Sequence, residues 1–364
     1  MTIKHLSLLI CIVILTGCVP TSIVEEVNYM KGKAYDYVDG DNFKTTISIP
    51  IYPKGEKTSG GIENGTISAI GKTSEEIEEM IDYESPRPIE DGHLNTVLFS
   101  EEILDNGIMD FLDSLTRNPQ IGRTVQLAVV KGEAAPYMKF QTKGNIQPPD
   151  FIYDVLSHAM EESFPRTNIH KFLYQYYGKG MDPFLPFLTL TGDRVKIDGI
   201  ALFDKDRYVG RLPYRMIFIF KMLSEGHVNG AYRVTMKDSN DDVLIETISS
   251  SIKRAFKGSI ENPVVSITVD VKGVMEEAHF PIGSGEKRGA NIKKIEKQFE
   301  ETLQKRGLEL IKQLQQKKID PLSIGNYIRS RMRDWNKEKW ETIYPEMEIQ
   351  LKVNVSITGT GVSE

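Results

Sequence analysis

The stretch Arg194-Val195-Lys196-Ile197-Asp198-Gly199-Ile200-Ala201-Leu202-Phe203-Asp204-Lys205-Asp206-Arg207-Tyr208-Val209-Gly210-Arg211-Leu212 decides the fold class. Residues 194–203 and 208–212 are rich in β-branched and apolar types, and Asp204-Lys205-Asp206 separates them. Such runs read as strands. A three-residue polar turn joins antiparallel neighbours, whereas a parallel pair needs a crossover of about a dozen residues. A further strand, 187–190, comes just before. The chain starts in the same manner. Residues 23–39 and 43–51 alternate around the hairpin turn Asp39-Gly40-Asp41-Asn42, and 64–70 reads as a third strand. Consecutive strands linked by short turns predict mixed or antiparallel sheets, and so an α+β architecture.

Helices flank these strands. Lys72-Thr73-Ser74-Glu75-Glu76 opens one with a hydroxyl cap and carboxylates in the first turn. A strand at 95–100, a helix at 108–115 and a strand at 124–130 complete a first unit. Residues 143–150 carry Gly144, Pro148 and Pro149, which is linker chemistry. Residues 151–178 read as helical up to Gly178 and Gly180, and 216–224 as another helix. Strands follow at 230–236, 243–256 and 264–275. Then 291–319 forms one long amphipathic helix, with Ile292, Ile295, Phe299, Leu303, Leu310, Ile311 and Leu314 at three- and four-residue steps. Asp320-Pro321 caps and starts a further helix, and 347–357 alternates as a last strand. The expected division is a removed signal peptide at 1–17, an N-terminal α+β domain at 18–142, a middle domain at 150–225 and a C-terminal α+β domain at 226–364.

Composition sets the class. The 364 residues are 40% hydrophobic and 26% charged, which excludes a disordered, collagenous or multi-span chain. A single core stops growing at roughly 250–300 residues, so several domains are expected. A net charge of -6 argues against nucleic acid as a partner. At the N-terminus, Lys4 precedes an apolar run at 6–15 and then Leu15-Thr16-Gly17-Cys18. The run is shorter than the roughly 20 residues of a membrane span and has signal-peptide proportions. Its end resembles the bacterial lipobox, in which Cys18 takes a diacylglycerol on sulfur and, after cleavage, an acyl chain such as palmitate on nitrogen. Cys11 leaves with the signal and Cys18 is blocked, so neither of the two cysteines has a disulfide partner. Two acyl chains at about 0.8 kcal/mol per buried methylene anchor firmly. No later window offers 18 consecutive apolar residues; the longest candidate, 216–223, is interrupted by Lys221.

Candidate chemistry is sparse. Gly283-Ser284-Gly285 and Gly289 have GxGxxxG spacing, without the surrounding βαβ unit that a dinucleotide loop requires, and read as a strand-to-helix connection. His93, His158, His170, His227 and His279 stand far apart, with no HExxH. There is no GxSxG elbow and no phosphate loop. Glu75, Glu76, Glu78 and Glu79 read as a solvated helix face, and catalytic pairing of carboxylates is a spatial matter the sequence leaves open. No catalytic, cofactor-binding or metal-ligating residue is therefore assigned, and no cofactor is expected. Residues 287–339 hold 15 Lys+Arg against 7 Asp+Glu. This reads as a helix laced with pairs such as Glu301/Lys305, or as a basic surface for anionic lipid or an acidic partner. Trp335 and Trp340 are expected to pack the second helix on the sheet.

Several stretches carry a resemblance. Gly71-Lys72-Thr73-Ser74-Glu75-Glu76 resembles "GKT-x-EE", and Asp91-Gly92-His93-Leu94 with 97–101 resembles "GH-L…vl-gEE". Ile108-Met109-Asp110-Phe111-Leu112-Asp113 with Arg117-Asn118-Pro119-Gln120-Ile121 resembles "-lDfLlRdpEi". The most specific is Asp182-Pro183-Phe184-Leu185-Pro186 continuing through Ile197-Asp198-Gly199-Ile200-Ala201-Leu202-Phe203 to Val209-Gly210-Arg211-Leu212. In these the chain resembles the Ger(x)C family, the lipoprotein C subunits of spore germinant receptors. Val19-Pro20 after Cys18, and Asn118 before Pro119, depart from the commoner pattern. The resemblance implies a non-catalytic protein lipid-anchored on the outer leaflet of the spore inner membrane. Its implied partners are two polytopic receptor subunits, of A and B type. Lipidation transfers to Cys18 alone. A solute-binding lipoprotein of an uptake transporter is the competing expectation, and an envelope hydrolase a third.

Overall fold

The computed structural model describes residues 27–51, 63–142, 144, 146–226, 229–237, 241–259, 262–278 and 285–360. The expected signal peptide and Cys18 lie outside these, as do His227 and His279. A short strand β1 (Asn28–Tyr29) leads into β2 (Gly32–Asp39), which turns at Asp39 and Asn42 into β3 (Asn42–Ile51). β4 (Glu63–Gly71) pairs antiparallel with β3. Helix α1 (Ser74–Glu84) begins as its sequence predicts: Thr73 Oγ1 accepts from the Glu76 N–H at 3.2 Å, and Glu76 Oε2 accepts from the Lys72 N–H at 2.9 Å. β5 (Ile89–Glu90) pairs parallel with β1, and β6 (Thr96–Ser100), α2 (Met109–Arg117) and β7 (Gln126–Val130) follow.

Two departures mark the next stretch. Pro148 and Pro149 open helix α3 (Pro148–Glu161) where a linker was expected, because proline's missing N–H costs nothing in the first turn. The single helix expected at 151–178 is two helices, α3 and α4 (Ile169–Tyr177). Pro165 lies between them, a residue that would clash in a helix interior, and Asn168 caps the second by accepting from the Lys171 N–H at 2.9 Å.

Strands β8 (Phe184–Thr191), β9 (Arg194–Asp204) and β10 (Arg207–Pro213) then join the same sheet as the first strands. Its order is β10-β9-β8-β7-β6-β2-β3-β4. The stretches 18–142 and 150–225 thus share one sheet of eight strands. Its four central strands β2, β6, β7 and β8 run parallel, and an antiparallel pair flanks each side.

A parallel centre must be covered on both faces. Alternate residues of the central strands and of β9 point into two cores. Tyr35, Phe99, Leu127, Val129, Phe187 and Phe203 pack with Ile77 and Ile81 of α1, Leu112 and Leu115 of α2, and Phe172 of α4. Ala34, Leu98, Ala128, Val130, Leu188 and Leu202 pack on the opposite face with Ile152, Leu156 and Met160 of α3 and with α5 (Ile217–Ser224). That second core continues without a break into the C-terminal sheet.

The C-terminal sheet has the order β11 (Gly230–Thr235), β12 (Asp242–Lys257), β13 (Val264–Ala278), β14 (Glu348–Thr360). Helix α6 (Gly285–Gln316) crosses it, taking 32 residues, or ~48 Å at about 1.5 Å per residue. Gly285 and Gly289 lie within this helix, so that part of the glycine-rich stretch is helical and not a connection. Short helices α7 (Ile324–Arg329) and α8 (Lys337–Ile343) lead to β14, which pairs parallel with β13. α6 also finishes the edge of β14: the Val355 N–H donates to Glu300 Oε1 at 3.0 Å and the Ile357 N–H to Glu296 Oε1 at 2.8 Å. Four helical residues rise about 6 Å, close to the roughly 6.6 Å of two strand residues, so carboxylates spaced i,i+4 meet N–H groups spaced i,i+2.

Gly199 sits where β9 meets β10, and a Cβ there would stand 2.0 Å from the Leu212 carbonyl oxygen. Gly199→Ala is expected to lower stability by about 1–3 kcal/mol, as overpacking does. Gly92→Ala, with open space around it, should leave the unfolding midpoint in urea nearly unchanged.

Candidate functional site

The most specific sequence stretch converges on one buried junction. Asp182, just before β8, and Asp320, just after α6, are 8% and 2% exposed. They exchange backbone donors: the Asp320 N–H reaches Asp182 Oδ2 at 2.7 Å, and the Asp182 N–H reaches the Asp320 carbonyl at 3.1 Å. Asp320 Oδ1 accepts from the Ile324 N–H at 3.0 Å and Oδ2 from the Gly325 N–H at 2.7 Å. Asp320 therefore caps α7 as its sequence suggests, but the helix starts at Ile324, so Pro321 lies in the preceding turn and not at the first helical position. The Lys205 N–H reaches Asp182 Oδ1 at 3.4 Å.

Two glycines let the backbones close on this junction. A Cβ on Gly180 (φ +68) would stand 2.6 Å from the carbonyl carbon of Gly325, and one on Gly325 would stand 2.5 Å from the Trp340 ring. The Asn326 N–H donates to the Gly180 carbonyl at 2.7 Å. Lys205 Nζ donates to the Gly178 and Met181 carbonyls at 3.1 and 3.0 Å and lies 3.7 Å from Asp182. From the C-terminal sheet, Arg254 donates to the Leu223 carbonyl at 2.8 Å, and the Tyr327 hydroxyl donates to the Arg254 carbonyl. The junction thus gathers Asp182, Lys205, Arg254, and Asp320 with Tyr327 from four separate parts of the chain.

Burial dominates its electrostatics. Loss of solvent raises the Asp320 pKa from 3.8 to about 8, against the Gly325 and Ile324 N–H groups that favour the anion, and the Asp182 carboxylate adds to the rise. Asp182 is also raised by burial, opposed by the Asp320 N–H and Lys205. Burial lowers Arg254, which faces Asp320. Each carboxylate oxygen already takes a backbone N–H, so the pair acts as a tie between sheets.

Two further buried cations were not legible as such. Lys33 of β2, 2% exposed, donates to Glu78 Oε1 at 2.5 Å. Burial pushes its pKa down, but Tyr35, Glu78 and Asp91 outweigh that and the net shift is upward. Glu78 therefore does not belong to a merely solvated face. Glu76 closes the cap, Glu79 accepts from Tyr83, and Glu75 lines a cleft of about 660 Å³ with Lys72, Asp110 and Arg117. Lys221, which interrupts the apolar run of α5, donates to the Met160 and Glu162 carbonyls at the end of α3 at 3.1 and 2.6 Å. Burial lowers its pKa.

The other singled-out residues stay apart. His93 packs on Tyr29 with ring centroids 4.4 Å apart, while His158 and His170 are exposed on α3 and α4. Among the described residues no group of three or more His, Cys, Asp or Glu is placed to hold a metal ion. Glu301 pairs with Lys237, in the turn after β11, at 2.8 Å instead of Lys305, and Arg306 pairs with Glu309 at 3.4 Å. Trp340 is buried against Gly325 and Tyr344, and Trp335 is partly buried against the same core. No described helix is long and apolar enough to cross a membrane.

Known proteins share this plan. Residues 21–190 match the model of the spore germination protein N-terminal domain, and residues 198–361 that of the spore germination B3/GerAC-like C-terminal domain. The sequence is 30% identical to the spore germination protein GerQC of Bacillus cereus over 98% of each chain. The chain belongs to the GerAC-type family of spore germination proteins. Spore germination proteins B3 and KC of Bacillus subtilis (strain 168) are 24% and 22% identical, with at least 95% of each chain covered. The crystal structure of the GerBC protein has the same fold, with a TM-score of 0.61 at 20% identity over 90% of this chain and 97% of that one. Family membership places the chain among the C subunits of spore germinant receptors, and a solute-binding lipoprotein is not favoured.

The junction sets a pH dependence. The folded chain holds on Asp320 a proton that the unfolded chain releases near 3.8, so between that pH and about 8 the folded state binds more protons. Stability contributed at low pH is then lost as pH rises. The thermal midpoint is expected to fall between these limits, and Asp320→Asn should flatten the fall. An unchanged slope in that variant would place the titration elsewhere.

Proposed function

We propose that the chain is a non-catalytic, lipid-anchored C subunit of a nutrient germinant receptor, required for spores to germinate in response to nutrients. The relation to GerQC along nearly the whole chain carries this reading. The lipobox-like Leu15-Thr16-Gly17-Cys18 supplies the anchor. Diacylglycerol on the Cys18 sulfur and an acyl chain on its nitrogen would hold the protein on the outer leaflet of the spore inner membrane.

The tether is short. Val27, the first described residue, stands nine positions after Cys18, and nine residues span at most about 30 Å when fully extended. The β1–β5 corner of the fold is thereby kept near the membrane. Broad surfaces of the two sheets' domains are then available to the two polytopic subunits, of A and B type. The role is one of positioning, which suits a buried junction whose carboxylates are engaged by backbone donors.

Cys18→Ala should leave the folded chain intact, by its melting midpoint, but release it from the membrane fraction and slow nutrient-triggered germination. Normal fractionation of that variant would remove the anchoring claim. Detergent extraction of the tagged protein from spore membranes should recover two polytopic partners. Recovery of a transporter permease and ATPase would overturn the receptor assignment.

A further inference from the structure

Helix α6 sorts its charges by direction. From residue 296 onward its glutamates are engaged. Glu296 and Glu300 accept from the amides of β14, Glu301 meets Lys237 from the turn after β11 at 2.8 Å, and Glu309 meets Arg306 at 3.4 Å. Its lysines face outward. Lys287, Lys294, Lys305 and Lys312 are all exposed, and at 3.6 residues per turn they fall within about 20° of one another. They stand roughly opposite Leu303 and Leu310, which the core buries. From Lys287 to Lys312 the line is ~38 Å long at about 1.5 Å per residue. Lys287, Lys305 and Lys312 form no ion pair among the described residues. Glu301, which shares the line, is offset by Lys237.

Elsewhere the chain is acidic. Residues 287–339 hold 15 Lys+Arg against 7 Asp+Glu, and the remainder holds 30 against 44. An anionic surface therefore repels most of the molecule and attracts this stretch, which selects the side that approaches. The line offers ammonium point charges, which suit a field of headgroups, and not the guanidinium forks that fit one bidentate anion. Leu308, 37% exposed, is the large apolar residue that the described part of α6 presents to solvent. A peptide or helix partner is gripped through several apolar anchors at i, i+3 and i+4. A charged plane needs none.

We propose that the lysine line of α6 lies on an anionic phospholipid surface and so sets the orientation of the protein on the membrane. This choice of partner rests on the reading of Cys18 as an acylated anchor, which brings the chain to a bilayer. A lysine near an anionic leaflet favours binding about five-fold, so four together favour it roughly 600-fold.

The lipidated full chain would be floated with vesicles of phosphatidylcholine, alone or mixed equally with phosphatidylglycerol. The floated protein would then be acetylated, each lysine being followed by mass spectrometry. Flotation with the neutral vesicles reports the acyl anchor. Slower acetylation of Lys287, Lys305 and Lys312 on the anionic vesicles alone, reversed by high salt, is the expected sign of docking. Lys72 and Lys139, exposed on the large sheet's domain, should react equally on both. In the double variant Lys305→Gln/Lys312→Gln, Lys287 on anionic vesicles should react about 25-fold faster, at an unchanged melting midpoint. Absence of slowing, equal slowing on neutral vesicles, equal slowing of Lys72 and Lys139, or wild-type reactivity of Lys287 in the double variant would overturn the proposal. Slowing by polyglutamate and not by vesicles would also overturn it, and would give the line to an acidic protein. Failure to float with neutral vesicles would count against the anchor instead, and acetylation on the anionic ones would still decide the docking.

Discussion

The exchange of donors between Asp182 and Asp320 is the constraint on which the arrangement of the two sheets depends. Two carboxylates taken out of water are costly unless their oxygens are hydrogen-bonded. Here each oxygen receives a backbone N–H, and those amides come from the turns that end α6, begin α7 and join β9 to β10. Moving the C-terminal sheet relative to the large one would strip these donors and leave buried charge or an unpaired acid. The glycines at 180 and 325 belong to the same device, because only their absent side chains allow the backbones to approach.

Around that tie the core is continuous. The large sheet offers one face to α1, α2 and α4 and the other to α3, α5 and the C-terminal sheet, so its central strands are apolar on both sides. Lys221 shows how a charge is tolerated inside this region. Its stem runs through apolar surroundings, and its ammonium meets the carbonyls that end α3, where a helix presents negative partial charge. Edges are treated with similar economy. Glu296 and Glu300 satisfy the amides of β14 that a neighbouring strand would otherwise seek, which blunts the sheet against further pairing.

Local pattern made most elements legible. Hairpins at Asp39–Asn42 and across residues 204–206, the cap at Thr73 and the long helix after the third C-terminal strand all express short-range rules of turn chemistry and periodicity. The helix break near Pro165 and the start of α3 at Pro148 were misread because proline acts oppositely inside a helix and at its first turn. The parallel centre of the large sheet was hidden for another reason. Its strands are joined by long connections, and short turns reveal only neighbours that are consecutive in sequence.

The site residues divide in the same way. Asp182 and Gly199 stand in the stretch that carries the family resemblance, and Asp320 reads as a cap, but nothing local announces that Asp182 and Asp320 meet across 138 positions. Lys33 looks like the polar side of an alternating strand and is in fact buried on Glu78. By itself the sequence determined the α+β class and most element positions, through composition, spacing and short-range pattern; the family resemblance came from shared motifs, and the expectation of an anchor at Cys18 from a lipobox-like run. Only the tertiary structure decided which strands share a sheet, which carboxylates are buried and which lysines lie inside the fold. Those are contacts between distant segments, set by packing and desolvation, which no local run of residues encodes.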